Sequence, residues 1–469
     1  MPLPKPVGRQ KEVLYLPAQG HTVVLGTAGS GKTTLAILRA EYLAKTFTPP
    51  GRKVLLVTFN RALVTYLESL ASSQIPNIDV RTYHRFALGY LTQKKNRQIS
   101  VVPKEKQESL IRAALREARR ENGAHPIHER PFEMISTEFE WIAKAGVRTS
   151  DAYYKVERVG RSGTRIERKD REALFDVYER YLRLRSVAGY DYSWDDLALA
   201  ALDEFTGDTS SRLYQHAVVD EGQDFSPVML RSLVAAVPSG GNLTFFGDVA
   251  QQIYGTRISW RSAGLNPPRI WRFEENYRNS KKIAQLGLAI SRMPCFQGEV
   301  DLVEPREPKA DGPLPTMVHC KDKVREFDLA LRQAKLMGRT QSVAILMRDR
   351  DKEKDFLRKL QAAGVAVQKL HREMSSWSSS SPRVCVGTYY SAKGLEFDAV
   401  ILPFCSDDVL PDPSRIVALG DENDALSEEG RLLYVAVTRA KARLILTFSG
   451  SVTRLLPVDG SLYQRIEES

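Results

Sequence analysis

Cysteine is scarce: only four, at positions 295, 320, 385 and 405, stand among 469 residues. No two of them share C-x-x-C spacing, which argues against a zinc site, and so few thiols exclude a disulfide-built scaffold. A reduced, cytoplasmic protein is the expectation. Long hydrophobic runs are missing as well. No stretch approaches the roughly 18 consecutive apolar residues of a membrane-spanning helix, so no membrane association is expected. The opening residues MPLPKPVGRQ lack the apolar core of a secretory leader. Acidic residues are in deficit, 57 Asp plus Glu against 68 Lys plus Arg, a formal net charge of +11. That excess favours a polyanionic partner without requiring one. Hydrophobic residues at 42% and charged residues at 27% are ordinary globular proportions, which excludes disorder throughout. The length suits about three domains.

What is present is a phosphate-binding signature. Residues 21–34 read HTVVLGTAGSGKTT. The run Val23-Val24-Leu25 predicts a buried strand, and LAILRAEYLA (35–44) predicts a helix. Between them, Gly26-x-x-x-x-Gly31-Lys32-Thr33 is the P-loop spacing. Glycines let successive backbone N–H groups turn toward one phosphate chain, and the helix N-terminus adds positive potential. Gly29, Ser30, Gly31, Lys32, Thr33 and Thr34 are the candidate nucleotide contacts. Lys32 can neutralise the β- and γ-phosphates of a nucleoside triphosphate, and the Thr33 hydroxyl can ligate Mg²⁺. Such a loop needs an acidic strand end to hold the metal and orient water. HAVVDEGQDFSP (216–227) supplies it, with Asp220 holding Mg²⁺ through water and Glu221 polarising the attacking water. His125-x-x-His128 has only a superficial metal spacing, with Pro126 between and no cysteine or acidic cluster nearby. No N-K-x-D sequence for reading guanine is present.

With these motifs the chain resembles the UvrD/Rep-type superfamily 1A helicases, in ordered segments over nearly its whole length. Gln10, 22 residues before Lys32, resembles the family's adenine-reading glutamine. VTFNRALVTYL (57–67) is similar to a DNA-contacting motif, with Phe59 stacking on a base beside Asn60, and VRTYHRF (80–86) to the next one, with Tyr83 and His84. DEGQD (220–224) resembles the DExxD box. FFGDVAQQIYG (245–255) is similar to the GDxxQxIYG motif, which implies Gln251 as a γ-phosphate sensor and Tyr254 as a strand contact. ENYRNS (275–280) resembles NYRS, which implies Tyr277 on the adenine and Arg278 on the γ-phosphate. SVAILMRDR (342–350) is similar to the strand opening the second motor half. GTYYSAKGLEFDAVIL (387–402) resembles HSAKGLEF, which implies Glu396 near the ribose, and EEGRLLYVAVTRAK (428–441) implies Arg439 as the arginine finger. Two positions depart from the pattern. The family's tryptophan is Thr256 here, with Trp260 four residues on as a replacement stacking surface or a core residue, and the opening histidine of SAKG is Tyr390, which can still donate a hydrogen bond and stack as a candidate DNA contact.

The expected fold is α/β: two RecA-like P-loop NTPase domains with parallel sheets and a helical insertion in the first. Domain 1A is expected at 1–90 and 186–278, with strands at 22–26, 54–59, 78–82, 216–220 and 243–247. The helical patterns PKEKQESLIRAALREARRE, FEMISTEFEWIAKA and DREALFDVYERYLRLR place insertion 1B at 91–185. Between the last two, KVERVGRSGTRIERK is a basic loop, either touching backbone phosphate or merely solvated. Domain 2A is expected at 279–469, with strands at 343–347, 384–389, 399–404 and 443–448. A serine-rich loop at about 371–382 stands where longer relatives carry a 2B insertion, so no 2B is expected. The resemblance implies an ATP-dependent DNA translocase or helicase moving 3′ to 5′, with ATP and Mg²⁺ as cofactors and single-stranded DNA, rather than RNA, as track. Two rivals stay open: a subunit active only with a protein partner such as a nuclease, and an ATP-gated nucleic-acid clamp.

Overall fold

The computed structural model describes residues 6, 8–27, 29–58, 77–156, 166–248, 260–261, 263–274, 276, 279–294, 311–370, 383–419 and 421–468. The chain forms two parallel α/β sheets. The first contains β1 (Gly20–Gly26), β2 (Lys53–Thr58), β3 (Ile78–Thr82), β4 (Tyr214–Val219), β5 (Asn242–Gly247) and β6 (Ile270–Phe273). Their order is β3-β2-β4-β5-β1-β6, and all pairings are parallel. Strands β4 and β5 are buried at every position, which explains their continuous apolar runs: helices cover both faces of a parallel sheet. The helices Arg9–Leu14 and Lys32–Thr46 cover one face through Val13, Leu35, Ile37 and Leu43. Helices Tyr83–Lys95, Leu197–Gly207 and Pro227–Ala236 cover the other.

The second sheet contains β7 (Thr316–Cys320), β8 (Val343–Met347), β9 (Val367–Lys369), β10 (Val384–Thr388), β11 (Phe397–Leu402), β12 (Ala440–Ser449) and β13 (Gln464–Glu467). Its order is β13-β7-β12-β11-β8-β10-β9, again all parallel. Helices Lys281–Ser291 and Glu422–Val437 pack on one face, Lys323–Met337 and Glu353–Ala362 on the other. Phe356 is fully buried there, its ring 4.1 Å from that of Phe327. Phe356→Ala is expected to destabilise this half by about 3–5 kcal/mol. Urea unfolding followed by hydrogen exchange of β8 and β10 would measure it, and a loss under about 1 kcal/mol would mean the cavity collapses.

Between β3 and β4 the chain builds a helical block from Lys104–Asn122, Phe132–Ala145, Ser150–Lys155 and Arg168–Val187. It has its own core around Ile111, Phe139, Tyr153, Phe175 and Tyr181. Helix Pro413–Leu419, from the second-sheet half, packs against Phe132–Ala145.

Strands β6, β7 and β13 were not foreseen. β7 directly follows the Pro-rich stretch DGPLP (311–315), whose composition reads as a connection and hides the strand. β6 (Ile-Trp-Arg-Phe) is partly exposed and β13 fully exposed, so neither shows the unbroken apolar run of a central strand. Both form because β1 and β7 present open parallel edges. The serine-rich segment 371–382 and the centre of the basic loop, 157–165, lie outside the described residues. Among the described residues, no helix is long and apolar enough to cross a membrane.

Candidate active site

Strand β1 runs into the P-loop, and the helix Lys32–Thr46 leaves it. Gly31 occupies the left-handed region at φ 80°, where a side chain would be strained. A Cβ on Gly26 would come within 2.5 Å of Ser30 Oγ, so the strand must end in glycine for the loop to close. No side chain caps the helix at Gly31, which leaves its first-turn N–H groups for an anion. Lys32 Nζ donates to Gly26 O at 2.9 Å and Thr27 O at 2.7 Å and lies 3.8 Å from Asp248 Oδ2. Gln10 Nε2 donates to Ser30 O at 2.9 Å, which ties the N-terminal helix to the loop.

Asp220 follows directly on β4, which is separated from the P-loop strand by β5 alone. Its carboxyl is buried and hydrogen-bonded to Thr33, yet Oδ2 has no hydrogen-bond partner among the described residues. Burial, reinforced by the adjacent Glu221, pushes its pKa up to about 7. A buried carboxylate oxygen facing a threonine hydroxyl suits a hard divalent cation such as Mg²⁺.

Glu221 sits in the left-handed region at φ 53°, a costly backbone for a glutamate. The following residue must be glycine, because a Cβ on Gly222 would lie 2.2 Å from the Phe245 ring. Burial alone would push the Glu221 carboxyl up. Lys393, Lys32 and Arg439, with a hydrogen bond from Gln223, outweigh burial and hold it below its ordinary value. These cations come from both halves of the chain. Lys393 Nζ also crosses to Asp224 Oδ1 at 2.5 Å, both groups buried. Arg439 is buried as well: its Nε donates to Val435 O at 2.9 Å and its Nη1 to Leu395 O at 3.4 Å.

Three residues near the carboxylates carried no role in the sequence reading. Gln223 Nε2 donates to Glu221 Oε2 at 2.5 Å, while its Oε1 accepts from the Asp248 N–H at 2.9 Å. One amide therefore joins the acidic strand end to the loop after β5. Gln223, Asp248 and Lys393 all lie inside recognised motifs, and that position was the only available signal. Glu396 stands farther out, half-exposed and 3.5 Å from Lys441 Nζ.

The candidate strand contacts divide. Tyr83 has no face for a base. Thr82 caps the helix that Tyr83 begins, and the ring turns fully into the core, its hydroxyl 2.6 Å from Ser232 Oγ. A buried phenol needs such a partner, so Tyr83 packs rather than stacks on a strand. His84, next in sequence, is half-buried and meets Trp194 edge-on at 5.5 Å. Trp194 is 46% exposed and was not singled out from sequence. Trp260 packs edge-on against Phe245 at 5.2 Å, with part of the indole outside the core. Tyr390 donates to Glu428 Oε1 at 3.3 Å and lies under the Arg348 guanidinium at 5.7 Å. Phe59, Asn60, Gln251, Tyr254, Tyr277 and Arg278 lie outside the described residues.

Comparison with known proteins agrees with this geometry. The UvrD/REP helicase N-terminal domain matches residues 8–277, and the UvrD-like helicase C-terminal domain matches residues 365–451. The chain is similar to the ATP-dependent DNA helicase UvrD2 of Mycobacterium tuberculosis, 24% identical over 557 residues, covering 94% of this chain and 78% of that one. It is also similar to DNA helicase IV of Escherichia coli, 23% identical over 495 residues, covering 92% and 68%. A P-loop on β1, a buried acidic end on β4, cations drawn from a second parallel sheet and a match over more than half its length together make this chain a member of the UvrD/REP family of superfamily 1 helicases.

Proposed function

We propose that the chain is an ATP-driven motor on single-stranded DNA that hydrolyses ATP between its two α/β halves and moves 3′ to 5′. One observation carries this reading: Glu221, the candidate water-polarising carboxylate, feels Lys32 of the first half and Lys393 and Arg439 of the second. A carboxylate held ionised by cations of both halves responds to how closely the halves approach, so chemistry and closure are coupled.

In this scheme the P-loop N–H groups and Lys32 hold the phosphates, and Gln10 reads the base. Thr33 and Asp220 would hold Mg²⁺, which neutralises charge between the phosphates when bound. Glu221 orients and polarises the attacking water. Gln223 keeps that carboxylate aligned and links it to the Asp248 loop, which leads to Gln251. Arg278 and Arg439 neutralise charge developing on the transferred phosphoryl group, and Tyr277 and Glu396 hold the adenine and ribose. Hydrolysis removes the charge that draws the halves together, and they part by one step along the strand. The strand contacts are Phe59, Asn60, His84 and Tyr254, joined by Trp194, whose exposed indole beside His84 offers a stacking face. We also assign 1A to 1–90 and 186–278, 1B to 91–185 and 2A to 279–469; the separate core of the helical block supports this division.

Steady-state ATP hydrolysis with and without single-stranded DNA, single-stranded RNA and blunt duplex tests the motor. Single-stranded DNA is expected to stimulate turnover by roughly 5–150-fold, the range of a 1–3 kcal/mol coupling. No stimulation by any of the three, with ATP still bound, would sink the motor reading and favour a clamp. Phe59→Ala is expected to weaken single-strand binding by about 1–3 kcal/mol while ATP binding stays intact. Equal losses in both would assign Phe59 to packing.

A second reading is a DNA-dependent ATPase that separates strands only with a partner, such as a nuclease. The short connection between β8 and β10 favours it: one helix, one three-residue strand and the segment 371–382. Efficient unwinding of duplex by the isolated chain would exclude it.

A further inference from the structure

Asn276 and Asn279 bracket Tyr277 and Arg278 in sequence. Their side chains close on each other. Asn276 Nδ2 donates to Asn279 Oδ1 at 2.8 Å, and the Asn279 N–H donates to Asn276 Oδ1 at 3.1 Å. Asn279 then reaches outward with Nδ2, donating to Thr438 O at 3.1 Å and Ala440 O at 2.5 Å. Those carbonyls stand on either side of Arg439. The next N–H, of Ser280, donates to Lys441 O at 2.7 Å. Both asparagines are buried.

A primary amide is the smallest side chain that offers two donors and an acceptor in one plane. All three are used here. An alanine would leave two buried carbonyls without these donors, a serine could serve only one, and an aspartate would turn acceptors toward acceptors. The requirement at position 279 is therefore specific to what the amide joins: the residue after one candidate γ-phosphate arginine and the turn that carries the other.

We propose that Asn279 is a positioning residue that fixes the Thr438–Ala440 turn, so that Arg439 meets the nucleotide in one register. The inference rests on the reading of this site as an ATPase. Asn279 touches no reacting atom; it acts through Arg439. Phosphoryl transfer depends on placement, and a displacement of about 1 Å can cost roughly 10²-fold in rate.

The test is steady-state ATP hydrolysis at saturating single-stranded DNA by wild type, Asn279→Ala, Asn279→Ser, Arg439→Ala and Asn279→Ala/Arg439→Ala, with a thermal melt of each. Asn279→Ala is expected to lose roughly 10²-fold in kcat with little change in the KM for ATP, and Asn279→Ser to fall between it and wild type. In the Arg439→Ala background the same substitution is expected to cost far less, because the arginine it positions is gone. An equal loss in both backgrounds would assign Asn279 to general stability and overturn the proposal, as would a KM that rises in step with the fall in kcat. If Asn279→Ala does not fold, Asn279→Ser and Asn279→Ser/Arg439→Ala carry the same comparison. A wild type without ATPase activity, or Arg439→Ala at full rate, removes the ATPase reading and this proposal with it. Wild type and Arg439→Ala behaving as expected, beside Asn279 variants at wild-type rate, overturns the positioning role alone.

Discussion

Arg439→Ala is expected to lower the kcat for ATP hydrolysis by roughly 10³–10⁵-fold, the range seen when an arginine facing a transferring phosphoryl group is removed. The side chain is fully buried and held by the carbonyls of Val435 and Leu395, so its planar fork is already ordered before nucleotide arrives. Its charge also helps hold Glu221 ionised, so the substitution weakens two elements of the site together. Arg439→Lys keeps a charge but loses the fork and is expected to recover little of the rate. Binding of ATP should change far less than turnover, because the proposed site draws most of its phosphate contacts from the P-loop. Single-turnover hydrolysis, compared with nucleotide binding by fluorescence, separates the two. A kcat within about tenfold of wild type would remove Arg439 from the transition state.

Lys32→Ala is expected to cost roughly 10²–10³-fold or more in ATP turnover while the fold survives. The ammonium group contacts the carbonyls of Gly26 and Thr27 in the phosphate loop, lies near Asp248 in the loop after β5, and takes no part in the apolar cores. Removing it also takes a cation from the buried Asp248, so a stability loss of up to about 3–5 kcal/mol is expected alongside the loss of activity. The expected pattern is near-zero ATPase with a lowered thermal midpoint but a cooperative melt. Retention of wild-type turnover would overturn the whole site assignment, since no other described lysine occupies the loop. Loss of both turnover and folding would mean instead that Lys32 holds the loop together.

The strand–loop–helix turn of the candidate phosphate site was legible because its pattern is local. Gly26, Gly31, Lys32 and Thr33 lie within eight consecutive positions, and one strand–loop–helix turn brings them together. Asp220 and Glu221 were legible for a related reason: they follow an apolar strand whose end must reach the same sheet edge. Central strands such as β4 and β8 show in sequence because burial on both faces demands unbroken apolar runs. Edge strands escape, as β13 does with every residue exposed, because a neighbour's open edge rather than their own composition makes them strands. Tyr83 misled for a comparable reason. An aromatic residue in a DNA-contacting motif looks the same whether its ring faces a strand or the core, and only the inward turn of its helix decides.

By itself, then, the sequence determined the glycine-rich loop between strand and helix, the acidic pair after a buried strand, the parallel α/β class and the family, since each depends on residues close in the chain or on strand periodicity. Only the tertiary structure decided which distant groups share one electrostatic site. Gln223 joins Glu221 to the Asp248 loop, Lys393 crosses to Asp224, and Asn279 grips the carbonyls around Arg439. These couplings join residues up to 169 positions apart, and no local pattern marks them. Hydrogen bonds and charge interactions act through space, over a few ångströms, so the partners are chosen by how the two sheets pack and not by their order along the chain.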